Sequence, residues 1–182
     1  MLFVVDVGNT NITYGVYDDD RLITTFRMMS KVQHTSDEYG IQIIELLRAD
    51  NISPDDINGC IVASVVPNVM HSLVNGLVRY LNVEPMIVGA GIKTGIKIIT
   101  ENPKEIGPDR IVDAVGAYEK YGGPILVLDF GTATTYDLIT AKGEFAAGIT
   151  APGLRISAKA LWEDTAKLPE VALMSGLSIT RT

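Results

Sequence analysis

Cysteine occurs once in the 182 residues, at Cys60. No disulfide can form within the chain, and a small secreted scaffold held by disulfides is excluded. The thiol stands in the apolar run Gly59-Cys-Ile-Val-Ala, the setting of a buried core cysteine in a reducing compartment. Histidine is nearly as scarce. His34 lies in a polar stretch and His71 at the start of a helical pattern, with no Cys or His nearby to complete a zinc set. Basic residues number 15 against 22 acidic ones, a net charge of 15 − 22 = −7. That balance argues against a general surface for nucleic acid or anionic lipid, which would need a basic face, so any anionic substrate must be held locally. The opening MLFVVDVGNT reaches an aspartate after a short apolar run and has no basic residue before it. It reads as neither signal peptide nor membrane span, and a cytoplasmic address is expected. The Walker pattern G-x-x-x-x-G-K-[ST] is also missing.

Apolar residues make up 47% of the chain and charged ones 20%, enough to build a core. Leu2–Val5 is a continuous apolar run, while Ile12–Tyr17 and Arg21–Arg27 alternate, which predicts three short strands. The acidic triplet Asp18-Asp-Asp between the last two reads as a solvated turn. Thr35-Ser-Asp-Glu38 has capping-box spacing, and Ile41, Ile44 and Leu47 continue at helical period toward Asp50. Gly59–Val66 then reads as a strand. Pro67 opens a helix lined by Met70, Leu73, Val74, Leu77 and Leu81. Short strands at Pro85–Val88 and Ile96–Ile99 flank a glycine-broken loop. A second loop covers Asn102–Asp109, and a helix over Arg110–Tyr121 stops at Gly122-Gly-Pro. At Ile125 the opening pattern starts again. Strands are expected at Ile125–Leu128, Thr135–Thr140 and Glu144–Ile149, and a helix from about Leu154 to Lys167.

The repeat is sharpest at Asp6-Val-Gly-Asn-Thr-Asn11 and Asp129-Phe-Gly-Thr-Ala-Thr-Thr135. In each, an apolar strand ends in Asp, one residue intervenes, and Gly precedes a run rich in Asn and Thr. A carboxylate there can hold a metal ion or its water, Gly permits a tight turn, and Thr or Asn offers neutral donors to phosphate oxygens. One such element alone is an ordinary hairpin; two could hold a nucleotide's phosphates from both sides. This pairing resembles the actin, hexokinase and Hsp70 superfamily of phosphotransferases. The implied fold is α/β, with duplicated actin-like (ribonuclease H-like) β-β-β-α-β-α-β domains, the second incomplete: residues 1–121 and 122–182.

A third signal is Asn102-Pro-Lys-Glu-Ile-Gly-Pro-Asp-Arg110. Taken alone, Asp109 reads as a helix cap. With DVGNTN before it and DFGTATT after it, GPDR is similar to the pattern of the type III pantothenate kinases. The match continues through Ala146-Ala-Gly-Ile-Thr-Ala-Pro-Gly-Leu154 and Ala166-Lys-Leu-Pro169.

The resemblance implies transfer of the γ-phosphoryl of ATP to the terminal hydroxyl of pantothenate, the first step of coenzyme A synthesis. Asp6, Val7, Gly8, Asn9, Thr10, Asn11, Ile12 and Thr13 would then cradle ATP phosphates, with Thr132 contributing from the opposite hairpin. Asp129 would hold a monovalent cation, potassium or ammonium, used beside Mg²⁺. Gly107, Pro108, Asp109 and Arg110 would bind pantothenate, with Asp109 as the base. A homodimer is implied, with Trp162 in a packing or dimer-contact role and no nucleic acid or membrane partner. Relative to the family pattern the C-terminus is short, and Thr180 or Thr182 stands near where a pantothenate-contacting threonine is expected. The alternative is a non-catalytic nucleotide-binding or regulatory homologue of the same fold.

Overall fold

The computed structural model describes residues 1–89 and 92–165. Strands β1 (Leu2–Val7), β2 (Asn11–Asp18) and β3 (Arg21–Met29) form two consecutive antiparallel hairpins. The acidic triplet is the second turn: Asp18 pairs with Arg21, and Asp19 takes a left-handed φ of 51°. Helix α1 (Ser36–Ala49) carries the expected capping box, with Glu38 N donating to Thr35 Oγ1 and Thr35 N to Glu38 Oε2. Strand β4 (Gly59–Ser64), helix α2 (Pro67–Leu81) and strand β5 (Met86–Ile87) complete the first layer. Its strand order is β3-β2-β1-β4-β5, with β1-β4 and β4-β5 parallel.

The core of this layer is set by strand alternation and helix period together. Phe3, Val5 and Val7 on β1 and Ile12, Tyr14 and Val16 on β2 meet Tyr39, Ile43 and Leu47 of α1 and Leu73 and Leu77 of α2. Cys60 belongs to the same cluster, and burial pushes its thiol up to about 12, so it is a packing residue at neutral pH.

The second sheet is built from β6 (Lys97–Ile98), β7 (Ile125–Phe130), β8 (Ala133–Ile139) and β9 (Glu144–Pro152), in the order β6-β9-β8-β7. Helix α3 (Pro108–Tyr121) covers one face: its Ala114 is fully buried with Ile139 and Phe145, and Tyr118 packs against them. Helix α4 (Leu154–Glu163) follows β9. On the other face Leu126, Leu128, Phe130 and Ile149 are exposed.

Several boundaries differ from expectation. The helix read from Arg110 begins at Pro108, because proline is well placed in a first turn, where its missing N–H has no intrahelical partner. Strands β5 and β6 are only two residues each; each is an edge strand whose parallel pairing extends over two residue pairs. The pairing of β6 with β9, and of α3 with the second core, also places residues from Lys97 onward in the second layer. Sheet membership therefore changes between Ile87 and Lys97. Helix α4 ends at Glu163, with Asp164 as its C-cap, short of the expected Lys167; the Ala166–Pro169 match, Thr180 and Thr182 lie outside the described residues.

Candidate active site

The two repeated elements are both strand-turn-strand hairpins, and their tips touch. In the first, Asp6 pairs with Thr13 and Val7 with Ile12, leaving 8–11 as the turn. In the second, Asp129 pairs with Thr135 and Phe130 with Thr134, leaving 131–133. Each turn is closed by its glycine: Gly8 N donates to Asn11 O at 3.0 Å and Gly131 N to Ala133 O at 2.9 Å. Thr10 Oγ1 and Thr132 Oγ1 lie 3.1 Å apart, joining the tips.

This geometry sorts the residues expected to cradle phosphate. Val7 and Ile12 are fully buried in the core, so their side chains cannot reach a ligand at the tip. Thr13 is a ladder residue paired with both Asp6 and Arg27. The tip itself is Gly8, Asn9, Thr10 and Asn11. The backbone N–H groups of Asn9 and Thr10 have no acceptor among the described residues, which leaves them free to donate. Ser30, not anticipated from the sequence, braces this turn: its Oγ donates to Gly8 O at 2.6 Å and its N to Thr10 O at 3.1 Å.

Two helix N-termini border the hairpins. Gly153, the N-cap of α4, donates its N–H to Thr132 O at 3.1 Å. A Cβ at this glycine would overlap the carbonyl oxygens of Gly131 and Thr132, so glycine is needed for the helix to approach the turn. At the start of α3, Gly107 is the N-cap and makes no side-chain cap bond. Asp109 is therefore a first-turn residue rather than the cap, and its Oδ1 accepts from Arg110 N at 2.8 Å. The Cα of Gly107 faces Val65, next to the end of β4, where Val65 N donates to Val7 O. Helix N-termini carry partial positive charge and favour anions nearby.

Carboxylates gather at the same place. Burial first, then the charges of Asp109 and Asp129, raises the pKa of Asp6 above the ordinary range. Asp113, one helical turn after Asp109, is pushed up to about 6 by desolvation and then by Asp129, Asp6, Asp109 and Asp137. Asp113 was not anticipated; its i,i+4 spacing from Asp109 was the available signal. Among the described residues, no three His, Cys, Asp or Glu side chains converge into a metal-ligating set. The crowding fits Mg²⁺ held by one or two carboxylates together with water and phosphate oxygens, the usual arrangement for that ion. Asp129 sits at the β7 end, on the sheet face toward α3.

Arg110 is only partly free. Its Nε donates to Asp137 Oδ1 at 3.0 Å and Oδ2 at 3.1 Å, and its Nη2 also bonds Asp137 Oδ1. Asp137 is 2% exposed and Arg110 14%, so this is a buried ion pair.

A first sheet of ribonuclease H-like order, and a second that repeats its opening three-stranded meander, with matching hairpins whose tips touch, place the protein in the actin-like fold class. A Campylobacter jejuni structure assigned to the Baf family of transcriptional activators superposes with a TM-score of 0.53 at 17% identity, covering 98% of this chain and 69% of that one. A Sinorhizobium meliloti structure assigned as a 2-dehydro-3-deoxygalactonokinase gives 0.52 at 10% identity, with 82% and 53% covered. The family model for type III pantothenate kinase matches residues 2–181, and the chain belongs to that family. Type III pantothenate kinase of Agathobacter rectalis is 62% identical over 173 residues, 95% of this chain and 66% of the relative. That of Bifidobacterium adolescentis is 49% identical over 179 residues, covering 98% and 70%. The chain thus spans about two thirds of the length of these relatives.

Proposed function

We propose that the protein phosphorylates pantothenate with ATP, forming 4′-phosphopantothenate. The observation that carries this reading is the convergence of the Thr10 and Thr132 turns with the GPDR helix start, whose Asp109 lies close enough to Asp6 to raise its pKa. Free N–H groups of Asn9 and Thr10, the two threonine hydroxyls and the N-termini of α3 and α4 are suited to the triphosphate. Asp109 orients the acceptor hydroxyl. The hydroxyl oxygen bonds to the γ-phosphorus, the bond from that phosphorus to the β–γ bridging oxygen breaks, ADP leaves, and the hydroxyl proton passes to Asp109. Such a step is mostly positioning and charge neutralisation, so an ordinary carboxylate serves as late proton acceptor.

Mg²⁺ would be held near Asp6 and Asp129 and would neutralise triphosphate charge that a chain with 15 basic residues leaves uncovered. Asp129 is also the candidate for potassium or ammonium. Arg110 would bind the pantothenate carboxylate together with Gly107 and Pro108. A homodimer is supported by the exposed apolar side chains of α4, Leu154, Ile156, Leu161 and Trp162. No helix among the described residues is long and apolar enough to cross a membrane.

A coupled ADP-release assay with and without pantothenate tests the activity. Pantothenate-dependent ADP release supports it. Nucleotide binding without turnover on pantothenate would refute it and leave a non-catalytic nucleotide-binding homologue.

A further inference from the structure

The Arg110 guanidinium is fixed on three sides. Asp137 on β8 takes its Nε and Nη2, and the Phe145 ring on β9 lies 5.7 Å from its central carbon. Gly148, paired with Asp137 across the β8-β9 ladder, leaves the space that the Nη2 group fills. A Cβ at Gly148 would overlap Nη2 and come within 2.9 Å of Asp137 Oδ1. The Nη1 end has no acceptor among the described residues. An arginine held along one edge presents its other N–H groups in a set direction, which suits planar recognition of a carboxylate.

We infer that Asp137 and Gly148 are positioning residues for acceptor binding: together they aim the free Nη1 edge of Arg110 at the anionic end of the acceptor. This rests on the pantothenate reading above, in which Arg110 receives the carboxylate. Neither residue touches the acceptor. Asp137 supplies the counter-charge that lets the arginine lie on the sheet, and Gly148 supplies the space. Burying this pair for stability alone would gain little, because desolvation offsets much of the attraction.

The test compares wild type, Asp137→Asn and Gly148→Ala. Steady-state kinetics are measured in pantothenate and in ATP, together with the ¹⁵N resonance of the Arg110 Nε–H, identified by its loss in Arg110→Lys. Gly148 lies in extended backbone that alanine adopts, so this variant decides the matter if Asp137→Asn fails to fold. The inference expects KM for pantothenate to rise about tenfold in each folded variant, the loss of one well-aligned charge-assisted hydrogen bond. KM for ATP should stay within about twofold, and the Nε–H resonance should shift or broaden. Unchanged KM for pantothenate, or equal rises for both substrates, would overturn it. If wild type shows no turnover on pantothenate, the functional reading fails. A protected wild-type Nε–H that Gly148→Ala abolishes would then still support a held guanidinium, and its absence in wild type would overturn the positioning role.

Discussion

Thr10 and Thr132 meet through their hydroxyl oxygens, 3.1 Å apart, although 122 residues of chain separate them. Each stands at the tip of its own sheet's first hairpin, so the contact fixes the spacing between the two turns. If both hydroxyls also bind the same phosphate chain, the residues act as a unit. Thr10→Val and Thr132→Val should each raise KM for ATP several-fold. The double variant should fall short of the product of the two effects by more than about 0.5 kcal/mol, the margin for independent sites. Strictly multiplicative effects in this double-mutant cycle would mean that the two turns bind separately.

Asp109→Asn preserves the size of the side chain and removes its capacity to accept a proton. The expected result is a fall in kcat of at least ~10²-fold with little change in KM for ATP. Near-normal turnover would reduce Asp109 to an acidic first-turn residue stabilising α3.

Asp113 gives a pH signature in the metal-free protein. Its folded pKa of about 6 lies above the ordinary 3.8, so between these values the folded state holds more protons than the unfolded one. The contribution of this residue to stability is therefore fully present below about pH 4 and is lost as pH rises through about 6. The raised pKa of Asp6 acts in the same direction. Urea unfolding from pH 4 to 7 should show a steeper decline in wild type than in Asp113→Asn, and Mg²⁺ should reduce the difference. Parallel curves would show that neither burial nor the neighbouring carboxylates raise the pKa of Asp113 in the folded protein.

Asp129 as a monovalent-cation ligand predicts low activity in sodium or Tris buffers and a rise on adding potassium or ammonium. Asp129→Ala should lose that dependence along with most of the activity. Equal wild-type rates in all these salts would leave Asp129 with Mg²⁺ or a structural role only.

The hairpins, the Thr35 cap and the helix over Pro67–Leu81 were legible because each is a local pattern: alternation, a four-residue cap, a 3.6-residue stripe. The paired Asp-x-Gly turns were legible because they occur twice. What escaped is non-local. Nothing near Asp137 announces that Arg110 will lie across it, since that ion pair forms only when α3 crosses β8. Ser30 braces the Gly8 turn only once β3 is paired with β2. The split of the eight-residue loop into core-facing Val7 and Ile12 and outward-facing Asn9 and Thr10 depends on where the strand pairing stops. The start of α3 at Pro108 is masked in the sequence because two prolines make the whole segment read as loop.

The two-residue strand β6 sets an order of assembly during synthesis. All strands of the first sheet lie within the first 87 residues, so that layer has every strand it needs early. Lys97 and Ile98, by contrast, pair with Glu144 and Phe145, which are made 144 − 97 = 47 residues later. At about 5–20 residues per second, that is a wait of roughly two to ten seconds. For that interval β6 is a strand without a partner, and it is short and carries Lys97, features that discourage pairing with a neighbouring nascent chain.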